Sequence, residues 1–413
     1  MGKSLDAETG ARSWPKEGWT RVPYWIYSDP DLYRRELETF FYGRAWNYVA
    51  LECEVPEPGR FKRSWIGERQ VVVVRGKDGQ VHVWENRCAH RGARLCWQNV
   101  GRVDSFTCPY HQWNFSLDGR LQGVPLKRGV LGKGGMPADF DNADHGLNRL
   151  RVHVEGGAVW ASFASDGPSF AEYVGPEMHT NIHRVLNGRP LKLLGYSRQL
   201  IPSNWKLYVE NLKDPYHATL LHAFLITFGL WRADTESESV PVADGKHGIM
   251  VSRNVGKKDS ADTAEIQRNK NRLVLEDTDT VTPIREFDDG KVIGLTVFPS
   301  VVMHQQANTL GMRHIIPKGP GAFELSWTYY GYADESEAIT RLRLRHANLY
   351  GPAGYVAMED GEVLAESQLG AGEYAHRSAV IEMGGKDVAP QDHMVTEVLI
   401  RAFYKYYREA MGL

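Results

Sequence analysis

Two short stretches, Cys88-Ala89-His90 and Cys108-Pro109-Tyr110-His111, constrain this chain more than any other feature. Each supplies one cysteine and one histidine, and seventeen residues separate them. Zinc sites usually pair cysteine with cysteine and histidine with histidine along the chain. One of each per loop suits a two-iron cluster instead, with both thiolates on one iron and both imidazoles on the other. Replacing two anionic thiolates by neutral imidazoles raises the reduction potential, which makes an electron acceptor for a mild donor. The plainer reading, two buried cysteines beside two hairpin histidines, leaves the meeting of four residues of liganding type unexplained. The remaining cysteines, Cys53 and Cys96, have no histidine neighbours and read as small core hydrophobes.

The surrounding segment is β-rich. Short runs at Gln70–Arg75, Val81–Trp84, Ser105–Cys108 and Val159–Phe163 alternate with turn signals such as Lys77-Asp78-Gly79 and Asp118-Gly119, so 47–165 reads as an all-β domain. Before it, 1–46 reads as a helical segment, its helix opening at Asp29-Pro30 and running over 31–46. Residues 166–413 read as a second, α+β domain. It has an interrupted helix over Asn204–Thr227, strand-like runs at Val292–Phe298, Val301–Gln305 and Phe323–Tyr332, and a helix over Glu335–Leu349. Helices and strands come in blocks, which favours an antiparallel sheet over a doubly wound fold. Gly132-Lys133-Gly134-Gly135 precedes no apolar helix and does not read as a phosphate loop.

The second constellation is Asn211, Asp214, His217 and His222. Histidines at i, i+5 diverge by about 140° on a regular α-helix. They converge if the helix widens locally or if one sits at its margin. Two imidazoles and a carboxylate make a facial triad for non-haem iron with positions left for O₂. Such a site needs electrons, and the first constellation is a source of them. Asp214-Pro215 also reads, more simply, as a helix cap followed by proline at the first helical position.

Taken together, Cys88-x-His90-Arg91-Gly92, Cys108-x-x-His111-Gln112-Trp113 and Glu210-Asn211-x-x-Asp214-x-Tyr216-His217-x4-His222 resemble the large (α) subunit of the Rieske non-haem iron ring-hydroxylating oxygenases. The resemblance runs from about Trp19 to Gly412. It implies a Rieske [2Fe–2S] domain on Cys88, His90, Cys108 and His111, and a helix-grip catalytic domain. His217 and His222 would hold a mononuclear Fe(II), and Asn211 would lie near it. Asp214 would bridge to a cluster histidine of a neighbouring subunit. The third iron ligand is expected in Met358-Glu359-Asp360-Gly361-Glu362. Asp360 is the choice there, Glu359 is the neighbouring alternative, and without the family the segment reads as a solvated acidic turn.

The resemblance is greatest to members acting on aromatic carboxylates. Hydroxylation of salicylate to gentisate is favoured, and dioxygenation of anthranilate, terephthalate or another benzoate is the alternative. A carboxylate on an apolar ring needs a cationic partner once buried. Arg313, placed between strand-like runs, is the first candidate and Arg401 the second. Leu220, Phe224, Val297, Phe298, Val301 and Met303 are expected as pocket walls. The chain carries no flavin or nicotinamide motif, so a ferredoxin and an NAD(P)H-dependent reductase are expected partners. The family implies a homotrimer of α subunits, with or without three β subunits. From other classes, an electron carrier without catalysis or a zinc-binding module competes with this reading. With 49 basic against 51 acidic residues the chain lacks the positive excess of a nucleic-acid binder. No apolar run is long enough for a bilayer, Met1–Lys16 has no apolar leader core, and only four cysteines occur, so a cytoplasmic setting is expected.

Overall fold

Val71, Val72, Val73 and Val74 are all fully buried in the strand Arg69–Arg75. A strand buried on both faces needs a layer over each. Here Val72 and Val74 enter a core beneath the cysteine loops. Val71 and Val73 enter a different core, shared with the amino-terminal helix and the carboxy-terminal half of the chain. The computed structural model describes residues 12–253, 273–282, 287 and 289–413.

Around that strand lies a four-stranded sheet in the order Val81–Glu85, Arg69–Arg75, Arg60–Ile66 and Val100–Arg102, all antiparallel. A three-stranded sheet of Arg151–Glu155, Ala158–Ser162 and Asn47–Leu51 lies beside it. A small sheet of Phe106–Thr107, Asn114–Phe115 and Leu121–Gly123 carries the second cysteine loop. The expected strand Ser105–Cys108 is shortened to Phe106–Thr107, because the Cys108 amide donates to Trp113 O and closes a loop.

The carboxy-terminal half is built on a seven-stranded antiparallel sheet. Its order is Leu191–Ile201, Phe323–Tyr332, Thr309–Pro317, Val301–Gln306, Lys291–Val297, His247–Arg253, Glu236–Val242. Helices Glu337–Tyr350, Ala357–Glu373 and Val398–Met411 flank it, so the α+β architecture is as expected. Arg313, expected between strand-like runs, instead lies within the strand Thr309–Pro317. Every residue of this strand is buried, and Gly311, Arg313 and His314 on it break any apolar alternation. Among the described residues no helix is long and apolar enough to cross a membrane.

The amino-terminal helix is shorter than expected. Asp29 caps it by accepting from the Asp31 and Leu32 amides, and α-helix runs only over Pro30–Glu36. A wide turn, Leu37–Phe41, follows, in which the Tyr42 amide reaches back to Leu37 O. That turn seats Phe40 against Phe298 and Phe41 against Trp205, and the helical run stops at Phe41 rather than 46. Glu36 then fixes the segment: it accepts from Trp205 Nε1 at 3.0 Å and from the Tyr407 hydroxyl, and pairs with Lys206 Nζ at 2.8 Å. Both charges are fully buried. Removing one partner of such a pair strands the other, at about 3–5 kcal/mol, whereas removing both is far milder. Lys206→Met should therefore lower the denaturation midpoint severely and Glu36→Gln/Lys206→Met should recover much of it. A double variant no more stable than the single one would contradict this.

Candidate active site

The two cysteine loops repeat one backbone pattern. Cys88 N donates to Ala93 O and Gly92 N to Cys88 O; Cys108 N donates to Trp113 O and Gln112 N to Cys108 O. The fifth residue of each loop has a left-handed φ, +74° at Gly92 and +59° at Gln112, and the second case strains a non-glycine residue. The thiols of Cys88 and Cys108 are buried against one another, and the amides of His90 and Arg91 point at Cys88. Burial nevertheless raises the Cys88 pKa. The rings of His90 and His111 pack at 4.6 Å, with His90 stacked on Trp113. No three of these four side chains bring their ligand atoms within 4.8 Å of one another. A single tetrahedral zinc would require that, whereas a thiol pair and an imidazole pair fit the two ends of a two-iron cluster. Of the other cysteines, Cys96 is a core residue as expected, while Cys53 is only partly buried.

The second constellation forms where the helical run breaks. Trp205–Asn211 is capped by Asn204 and ends at Leu212. Asp214 accepts from the Tyr216 and His217 amides and starts Pro215–Ala218. The chain turns again, and His222 sits at the N-terminal margin of Ala223–Thr227. The i, i+5 pair converges because the two histidines lie on separate short helices, with rings 5.3 Å apart. Asp360 meets them from the helix Ala357–Glu373, its Oδ1 lying 3.5 Å from His217 Nε2 and 3.6 Å from His222 Nε2. It is buried in a helix, so the reading as a solvated turn is wrong. His217, His222 and Asp360 place their ligand atoms within 4.8 Å of one another.

Neighbouring polar groups hold these three in place. Asn211 Nδ2 donates to Asp360 Oδ1 at 3.1 Å and lies 3.3 Å from His217 Nε2. Asp214 Oδ2 faces His217 Nδ1 at 3.2 Å. Burial opposes the imidazolium of His217, but the Asp214 and Asp360 carboxylates outweigh it and raise the group to about 10. Burial lowers His222. Burial also pushes Asp360 up, and its contacts with the two histidines more than reverse this. Glu359 points the other way: Oε2 is 3.0 Å from His222 Nδ1, and Oε1 accepts from the Ala223 amide at 3.1 Å. It orients the outer nitrogen of His222 and caps a helix that has no cap of its own. Nothing local in the sequence announces that role.

The triad opens on a cavity lined also by Leu212, Trp231, Met250, Val302, Val356 and Met394. Val302, His304 and Arg313 face it from the sheet, so the expected walls Val301 and Met303 are displaced by one residue and point into the opposite core. Register has period two, and one step exchanges the faces. Val297 and Phe298 are likewise core, and Phe224 stacks on Tyr355 in a separate cluster. Leu220 does not line the cavity. Arg313 lies 4.3 Å above Trp327, and its Nε donates to His304 Nδ1 at 3.2 Å. Among the described residues no carboxylate pairs with it. Burial and the neighbouring guanidinium keep His304 far below its usual pKa, a neutral acceptor. Gly311 makes room for it, since a Cβ there would stand 2.4 Å from His304 Cε1. Arg401 lies elsewhere: its Nε and Nη1 donate to the carbonyls of Asp387 and Met383 at 2.8 and 2.7 Å, anchoring a loop.

Comparison with known proteins agrees with this two-centre layout. Residues 45–132 match the Rieske [2Fe-2S] domain, and residues 176–413 match the ring hydroxylating alpha subunit (catalytic domain). The chain belongs to the Rieske non-haem iron ring-hydroxylating oxygenases as an α subunit, an enzyme with a [2Fe–2S] cluster, a mononuclear iron and O₂ as co-substrate. It is 49% identical over 406 residues to the large oxygenase component of salicylate 5-hydroxylase from Ralstonia sp., covering 97% of this chain and 96% of that one. It is 43% identical over 404 residues to the anthranilate 1,2-dioxygenase large subunit from Burkholderia cepacia, with 96% and 95% covered. In fold it is similar to naphthalene 1,2-dioxygenase from Rhodococcus sp., at a TM-score of 0.77 and 24% identity, covering 95% and 94%. An electron carrier without catalysis and a zinc module are thereby set aside.

Proposed function

We propose that this α subunit hydroxylates an aromatic carboxylate of the salicylate type, giving gentisate from salicylate. Dioxygenation of anthranilate, terephthalate or another benzoate is the alternative. The observation that carries the reading is Arg313, a buried guanidinium without a carboxylate partner among the described residues, in the same cavity as His217, His222 and Asp360. A buried cation of this kind favours an anionic ligand, and the apolar remainder of the wall suits a ring. The names of three relatives support it: salicylate 5-hydroxylase at 49% identity, and anthranilate and terephthalate 1,2-dioxygenases at 43%. The chain is divided as 1–46, 47–165 and 166–413.

In this proposal Cys88 and Cys108 hold one iron of the cluster, and His90 and His111 the other. His217, His222 and Asp360 would hold the mononuclear iron, whose chemistry is the activation of O₂, and the cluster would be its source of electrons. Asn211 and Glu359 orient Asp360 and His222, and Arg313 anchors the substrate carboxylate so that the ring meets the triad. His304 keeps Arg313 fixed without competing for it as an anion would. Apolar side chains keep bulk water from the ring.

Asp214 would join the centres: it braces His217 and is itself part-exposed, within reach of a cluster histidine of a neighbouring subunit. His90 is exposed and packs on His111, whose ring meets Tyr110 at 59% exposure, a face suited to docking. We take the partners to be a neighbouring α subunit in a homotrimer, with or without β subunits, and a ferredoxin served by an NAD(P)H-dependent reductase, in the cytoplasm.

Two variants test the proposal. Asp214→Asn keeps the shape of the cap, so iron content should hold while single-turnover oxidation of the cluster slows severely; normal turnover would reduce Asp214 to a helix cap. Arg313→Met should cost on the order of 2–5 kcal/mol in binding of salicylate, with the amide of the same ring much less affected. Equal losses for acid and amide would instead indicate a damaged pocket.

A further inference from the structure

A second cluster of liganding side chains lies outside the active site. Glu155 ends the strand Arg151–Glu155, and the turn that follows, Gly156-Gly157, presses against the backbone of Leu186, where a Cβ on Gly156 would stand 2.3 Å from Leu186 O. That close approach sets the strand end beside the helix Pro176–Ile182. Met178 and Ile182 bury the inner side of the helix, so His179 and His183, one turn apart, share an outer side facing Glu155. His183 Nε2 is 2.9 Å and His179 Nε2 3.4 Å from Glu155 Oε1. The other oxygen, Oε2, is 2.9 Å from His153 Nε2, whose ring stacks on Phe170.

We infer that Glu155, His179 and His183 form a second cation site, which takes one divalent ion of the zinc type and ties the strand of the amino-terminal β region to the first helices of the catalytic half. Tetrahedral zinc with bonds of about 2.0–2.1 Å sets its ligand atoms roughly 3.3 Å apart, close to the spacings found. All three ligand atoms lie within 4.8 Å of one another. Two imidazoles and one carboxylate with a water as fourth ligand is a familiar set for that ion. His153 plays the outer part, holding Glu155 so that Oε1 faces the helix. The site is half-open: side-chain exposure is 37% at His179 and 45% at His183, so an ion reaches it without unfolding. It shares no residue with the iron triad, so its occupancy acts on stability and not on the chemistry.

Iron-loaded enzyme is dialysed against zinc chloride, and zinc, iron and sulfide are counted per chain. The expected result is one added zinc with iron and sulfide unchanged, together with a higher melting temperature. His179→Gln/His183→Gln should take up no added zinc and show no such rise, while keeping its cluster spectrum, iron and turnover. Glu155→Gln, which retains a partner for His153, should weaken zinc binding at least tenfold. No uptake by the native enzyme, equal uptake by the double variant, or uptake matched by loss of iron would each overturn the inference.

Discussion

Asp360 is a carboxylate at 4% exposure whose ion-pair neighbours among the described residues are two histidines. A buried anion costs several kcal/mol unless its surroundings compensate, and much of the catalytic half is arranged to do so. The helical run from Asn204 breaks twice so that Asn211, His217 and His222 reach one oxygen of that group. Glu359, one residue before it, turns outward to hold His222 and the next helix. Two imidazoles and a carboxylate, braced from behind and open in front, are what a mononuclear divalent iron needs.

The sheet contributes the other wall through its register. Arg313 stands opposite Val302 on one side and Trp327 on the other, so guanidinium, apolar wall and supporting ring fall on one face. Gly311 opposite His304 leaves the space in which the imidazole lies. An anionic anchor for Arg313 would cancel its charge, whereas neutral His304 fixes the guanidinium and leaves that charge facing the cavity.

The two Cys/His and His/Asp constellations are legible because most of their members cluster in short motifs, and the all-β character of 47–165 because its strands are short and punctuated by Gly turns. Elsewhere local pattern gave out. Thr309–Pro317 is buried along its length and carries no alternation, so nothing in its pattern marks Arg313 as a strand residue. Pattern without register does not say which face of Val301–Gln306 meets the cavity, and it is Val302 and His304, one residue from the expected Val301 and Met303, that line it. Asp360 is legible only through family resemblance, since a Glu-Asp-Gly-Glu run reads as a surface turn until the helix carrying it is docked against His217. Glu359 and Arg401 owe their roles to partners 137 and 14 or more residues away, and no short window contains such pairs.

The central claim is that one buried carboxylate decides whether a third iron is held, independently of the cluster. Iron and labile sulfide counted per chain in the native enzyme and in Asp360→Asn test it most directly. The native chain should carry about three irons and two sulfides; the variant should keep the two cluster irons, both sulfides and an unchanged cluster spectrum, and lose the third iron. Zinc without sulfide in the native protein, or a full third iron in Asp360→Asn, would contradict the account.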